Sequence, residues 1–114
     1  NDLPINKSRI LVLGVTFKED CPDIRNSKVA DVIKELQTYG AIVDVYDPHA
    51  DAKEVAHEYG LKLIDTLKEK YHGIVLAVGH QEFKNLDWNS IREERTVVYD
   101  VKGFLDKSFV TARL

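Results

Sequence analysis

Residues 10–28 read ILVLGVTFKEDCPDIRNSK. The opening run, Ile10–Val15, is apolar and rich in β-branched residues, the pattern of a strand covered on both faces. A loop follows that carries Lys18, Glu19, Asp20, Asp23, Arg25 and Lys28, with Cys21 and Pro22 among them. Asn26 or Ser27 then suits a helix N-cap, because a short polar side chain can accept from the free N–H groups of a first turn. Val29, Val32, Ile33 and Leu36 fall at i, i+3, i+4 and i+7, which predicts one apolar helix stripe closed by Gly40.

The same alternation continues outward. Ile42–Tyr46 reads as a second strand, stopped by Asp47-Pro48. Asp51 with Glu54 forms a variant capping box for a short helix lined by Ala52, Val55, Ala56 and Tyr59 and ended by Gly60. Leu61–Ile64 is a weak third strand, and Thr66-x-x-Glu69 predicts another short helix ending near His72-Gly73. Ile74–Val78 is a second wholly apolar strand, a helix is expected around Asp87–Glu94, and Thr96–Tyr99 is the last clear strand. The pattern does not resolve the tail after Phe104.

Strand and helix thus alternate about five times, which predicts an α/β domain: a doubly wound, Rossmann-like parallel sheet with helices on both faces and right-handed crossovers. The expected strand order is 3-2-1-4-5, and ligands of such sheets bind beyond the carboxyl ends of the strands, where the order reverses. The loops TFKEDCPDIR (16–25), GHQEF (79–83) and DVKGF (100–104) would all open on that edge.

Composition narrows the function. The chain has 114 residues, 44% apolar and 31% charged, as one globular domain should. Its net charge of −3 argues against a general nucleic-acid or anionic-membrane binder. One cysteine excludes an internal disulfide and a cysteine-rich zinc site, and fits a reducing cytoplasm. The apolar runs are too short to span a bilayer, and Asn1-Asp2-Leu3-Pro4 is unlike a signal peptide. With no methionine at all, residues 1–114 read as a single domain excised from a longer protein.

Several side chains could carry chemistry. The first loop lacks G-x-G-x-x-G, so a dinucleotide pyrophosphate could not approach its backbone in the usual way. Lys18, Arg25 and Lys28 beside a helix start could hold a phosphate, or the loop could be a solvated, self-paired charge cluster; both readings fit. Cys21 lies between Lys18 and Arg25 but has no base nearby in sequence. His80 directly follows a strand, where either a ligand-binding group or a simple strand-ending polar residue is at home. Asp47, His49, Asp51 and His57 satisfy no metal-ligand spacing. Phe83 and Trp88 read as packing residues. A receiver-type signalling module shares the alternation, and Glu19-Asp20, Asp65 and Lys102 mimic its acids and lysine. Gly79-His80 and Gly103 depart from its pattern.

The combination G-x-x-F-K, D-x-R-x-S, Y-D-P, AVGHQEF and DVKG resembles the C-terminal, nucleotide-sugar-binding domain of the UDP-glucose/GDP-mannose dehydrogenases. The likeness covers nearly the whole chain and is nearest to the UDP-N-acetylhexosamine 6-dehydrogenases of capsule and O-antigen synthesis. It implies a cytoplasmic enzyme that oxidises C6 of a UDP-sugar with NAD through a covalent intermediate on a cysteine. That cysteine and the main NAD site would belong to preceding domains, so the present residues alone should be inactive. It implies substrate binding by Phe17, Lys18 and Lys102, with Lys102 standing where the UDP-glucose branch has arginine. It implies an Arg25 that reaches toward NAD and an Asp23 that orients it. His80 would lie beside the site, Cys21 would not inherit the catalytic role, and no metal is implied. Expected partners are the UDP-sugar, the preceding domains and a second copy in a homodimer or larger oligomer, with no nucleic acid or membrane.

Overall fold

The computed structural model describes residues 7–16, 20, 23–24, 28–67, 69–100 and 112–113. Strand β1 (Arg9–Leu13) leads to helix α1 (Lys28–Thr38), then β2 (Ile42–Tyr46), α2 (Ala52–Tyr59) and β3 (Tyr71–Leu76). A 3₁₀ helix (Gln81–Asn85) and a short α3 (Trp88–Ile91) precede β4 (Arg92–Asp100) and β5 (Ala112–Arg113). All strand pairs are parallel, in the order β2-β1-β3-β4-β5. Leu63 adds a single parallel bridge to Val45 on the outer side of β2. Counting that segment as a strand position, the predicted 3-2-1-4-5 order holds, with β5 as an extra outer strand.

Alternation along the strands explains the two packed layers. Leu11, Leu13, Ile74, Leu76 and Val98 face Phe83, Trp88 and Ile91 from the segment between β3 and β4. Val12 and Val45 point the other way, onto Ala30 and Ile33 of α1 and Val55 of α2. Phe83 and Trp88 are core residues, as their apolar character suggested.

Several expected boundaries shift, each for a visible reason. β1 stops at Leu13, not Val15, because Gly14 takes φ +100° and turns the chain. A Cβ there would lie 2.6 Å from Val78 Cβ and 2.9 Å from its amide nitrogen, so the position excludes a side chain. The third strand shrinks to the Leu63 bridge and the Ile64 N–H bond to the Val45 carbonyl.

Among the described residues from Thr66 to His72, the predicted helix is not formed. β3 begins instead at Tyr71, whose hydroxyl donates to Asp44 at 2.6 Å and whose ring lies under Arg9. Glu69 pairs with Arg9 rather than folding back as a cap. The helix expected over Asp87–Glu94 is only Trp88–Ile91, since Arg92 already pairs with Tyr71.

On α1, Ala30 and Ile33 are buried and Val29 packs against the same core, while Val32 of the predicted stripe is 52% exposed. The expected N-caps Asn26 and Ser27 lie outside the described residues. Asp51 does cap α2, accepting from the Lys53 and Glu54 amides, and Gly60 ends it in the left-handed region. Of the residues expected to line α2, only Val55 is fully buried.

Candidate functional site

The parallel register levels four strand ends: Tyr46, Leu13, Leu76 and Asp100 are successive partners across the sheet. Among the described residues, those that follow Leu13, Tyr46 and Leu76 meet at one edge, around a buried carboxylate. Asp47, directly after β2, turns its side chain under the β1 turn and accepts the Val15 amide at 2.7 Å and the Thr16 amide at 3.1 Å through Oδ2. Its Oδ1 accepts the His49 amide at 2.8 Å. Burial alone would raise the Asp47 pKa. The hydrogen bonds from His80 and from the Val15 and His49 amides outweigh it and hold the carboxyl below its ordinary value.

His80, fully buried after β3, joins the same carboxylate: its Nε2 lies 3.0 Å from Asp47 Oδ2 and 3.0 Å from Thr16 Oγ1. Its Nδ1 accepts the Asp20 amide at 2.7 Å, which makes Nε2 the protonated nitrogen. Asp20, at φ +57°, in turn accepts the Gln81 amide on Oδ1 at 2.9 Å. The His49 ring stacks on His80 with centroids 4.3 Å apart, and His49 Nε2 meets Glu82 Oε1 at 2.9 Å. Asp20, His49 and His80 offer ligand atoms within 4.8 Å of one another. The His80 nitrogen of that set is already committed to an amide N–H, however, so the cluster is knit for hydrogen bonding.

This geometry sorts the expected residues. His80 is tied into this cluster through Thr16, Asp20 and Asp47. Asp23 is half-buried beside Ile24, which enters the core and accepts the Tyr59 hydroxyl on its carbonyl. Phe17, Lys18, Arg25 and Lys102 lie outside the described residues, as does Cys21. Asp100 is fully buried at the end of β4. Two residues carry more than the sequence reading gave them. Asp20, named above only among the loop's charges and the receiver-like acids, ties the first loop to the 3₁₀ helix, and Asp47, read as a strand stop, organises the turn. An acid placed just after the strand beside β1 was the available signal for Asp47. His72, expected at a helix end, lies in β3, where its Nδ1 accepts the Arg9 amide.

A second cleft, lined by Asp44, Lys62, Asp65, Glu69 and Tyr71 among others, lies away from this edge. Three carboxylates against one lysine make it unsuited to a phosphate. The receiver reading also fails on position. The Leu63 segment that precedes Asp65 pairs outside β2, so Asp65 is separated from the β1 loop by a whole strand.

Residues 11–107 match the UDP binding domain of the UDP-glucose/GDP-mannose dehydrogenase family. The chain belongs to that family. It is 44% identical over 114 aligned residues, 96% of this chain and 27% of the relative, to UDP-N-acetyl-D-glucosamine 6-dehydrogenase of Pseudomonas aeruginosa. Protein CapL of Staphylococcus aureus is 40% identical over 98% of this chain and 28% of its own length. The chain therefore spans about a quarter of the length of these curated relatives. Among solved structures, an NDP-N-acetyl-D-galactosaminuronic acid dehydrogenase from Methanosarcina mazei Go1 superposes with a TM-score of 0.79. It is 23% identical, over 92% of this chain and 22% of that one, and shares the dehydrogenase-domain fold.

Within this UDP-glucose/GDP-mannose dehydrogenase domain, the β1 turn differs from a dinucleotide site in a definite way. The amides of Val15 and Thr16, which in a glycine-rich turn would cradle a pyrophosphate, are taken by Asp47. An internal anion already fills that hole, so an NAD pyrophosphate does not fit at this turn. Among the described residues, no helix is long and apolar enough to cross a membrane.

Proposed function

We propose that this chain is the UDP-sugar-binding domain of a longer NAD-dependent dehydrogenase. That enzyme would oxidise the C6 alcohol of a UDP-N-acetylhexosamine to the uronic acid, for surface-polysaccharide synthesis. The carrying observation is the 44% identity to a UDP-N-acetyl-D-glucosamine 6-dehydrogenase across 96% of the chain, together with the family match over residues 11–107. Phe17, Lys18 and Lys102 are the residues proposed to hold the UDP moiety, with Arg25, oriented by Asp23, reaching toward the cofactor. The reading draws support from their neighbours. Thr16 and Asp20, which flank Phe17 and Lys18 in the chain, are both bonded to His80 at the loaded edge of the sheet. Asp100, two residues before Lys102, is level with Leu76 at the same edge.

NAD supplies the hydride acceptor. Its binding is assigned mainly to parts of the protein beyond this domain, consistent with the Asp47-filled turn. A cytoplasmic enzyme, working as a homodimer or larger oligomer, completes the reading.

The test is Lys18→Ala in the full-length enzyme. Loss of a charge-assisted contact to a diphosphate, worth about 1.5–3 kcal/mol, should raise the UDP-sugar KM by roughly ten- to a hundredfold. The thermal melting temperature should hold. A normally folded variant with unchanged KM rules Lys18 out.

A further inference from the structure

We propose that His80 is the positioning residue that fixes the ends of the segment carrying Phe17 and Lys18, and thereby sets UDP-sugar affinity. The inference rests on the nucleotide-binding reading above and gives His80 a role that motif likeness did not supply. The geometry behind it is specific. One imidazole reaches both flanks of residues 17–19: Nε2 lies 3.0 Å from Thr16 Oγ1, and Nδ1 accepts the Asp20 amide at 2.7 Å. The ring cannot drift. Its Nε2 is held 3.0 Å from Asp47 Oδ2, Phe83 packs against it at 5.3 Å between centroids, and His49 covers it at 4.3 Å. Asp20 is fixed a second time through its carboxylate, on the Gln81 amide next to His80. The separation of Thr16 and Asp20 is thus set by the width of a buried ring.

Neither ring nitrogen is spare. Nδ1 must be unprotonated to accept, and Nε2–H points at the one carboxylate that also holds the Val15 and Thr16 amides. This separates a positioning role from generic packing, because the two nitrogens can be replaced one at a time. In His80→Asn the amide oxygen stands near the Nδ1 position and can still accept from Asp20. In His80→Gln a polar atom stands near Nε2 and keeps the Asp47 side only. His80→Leu removes both.

The experiment has two readouts in the same variants. Amide hydrogen exchange at Asp20 and Gln81 needs no ligand, and UDP-sugar KM and kcat are measured in the full-length enzyme. His80→Gln and His80→Leu should speed exchange at Asp20 by about tenfold or more, while raising KM by about tenfold and lowering kcat less. His80→Asn should recover most of the protection and most of the KM. Should the leucine variant fail to fold, the asparagine and glutamine pair carries the comparison alone. Equal effects of asparagine and glutamine on KM, or native exchange at Asp20 in the glutamine variant, overturn the role. Exchange that responds as expected beside an unmoved KM overturns the link to substrate binding. An unmoved KM in Lys18→Ala, by contrast, removes the Lys18 assignment on which the affinity role rests, and leaves the exchange result at Asp20 standing.

Discussion

Asp47 shows how much a single side chain can organise. A fully buried carboxylate is tolerable only when its lone pairs are filled, and here three backbone amides and an imidazole fill them. Its folded pKa is depressed, so its contribution to stability is present above the unfolded value near 3.8 and is lost as pH falls through the lower folded value. Urea melts at decreasing pH should therefore show a loss of stability below pH 3.8 that Asp47→Asn flattens. At neutral pH, Asp47→Asn should cost about 2–4 kcal/mol, because one amide oxygen cannot replace a charge shared by four donors. An identical acid limb in the variant would show that another group governs it. Sequence reading placed Asp47 at a strand end but missed this work, since nothing in Tyr46-Asp47-Pro48 says which way the carboxylate turns. The partners, Val15, Thr16 and His80, are remote in sequence, and only the strand order brings them near.

At the scale of elements, legibility followed locality. α2 was readable because its start and stop are local chemistry, Asp51 on two amides and Gly60 at positive φ. β1 and β2 were readable from apolar runs. Thr66–His72 was misread because a correct local signal lost to remote contacts: Tyr71 and Glu69 are claimed by Asp44 and Arg9, so the segment extends rather than coils. α1 was found, but Val32 was assigned to the core on spacing alone, and only Ala30 and Ile33 are buried there. The junction between β1 and its loop depends on Gly14 in two ways, φ +100° and the Val78 contact. Gly14→Ala should destabilise the domain by about 2–4 kcal/mol by urea titration, combining left-handed strain with overpacking. A cost below about 0.5 kcal/mol, the range of an inert surface change, would mean that β1 and Val78 separate freely.

For the whole molecule, the division of labour between domains sets the expectation. The described residues form a sheet whose carboxyl edge is organised by Asp47 and His80, while the amides that would cradle a pyrophosphate in a dinucleotide turn are taken by Asp47 itself. Mixed with UDP-N-acetylglucosamine and NAD, this chain alone should generate no NADH absorbance. Turnover would refute its assignment as a substrate-binding part. The doubly wound architecture was legible because it depends on alternation and on switch-point geometry, both of which survive errors of several residues at any boundary. Of the three loops expected on one edge, the described parts of 16–25 and 79–83 meet there, while 101–104 lie outside the described residues.

The carboxylate under the β1 turn has a consequence for energetics. Because the protein supplies its own anion, residues 14–16 take their shape when the chain folds, whether or not a ligand is present. The entropy of ordering that turn is spent at folding and is not subtracted later from affinity. Any ligand that contacts this turn would meet amides already set, and would spend none of its binding energy on ordering them.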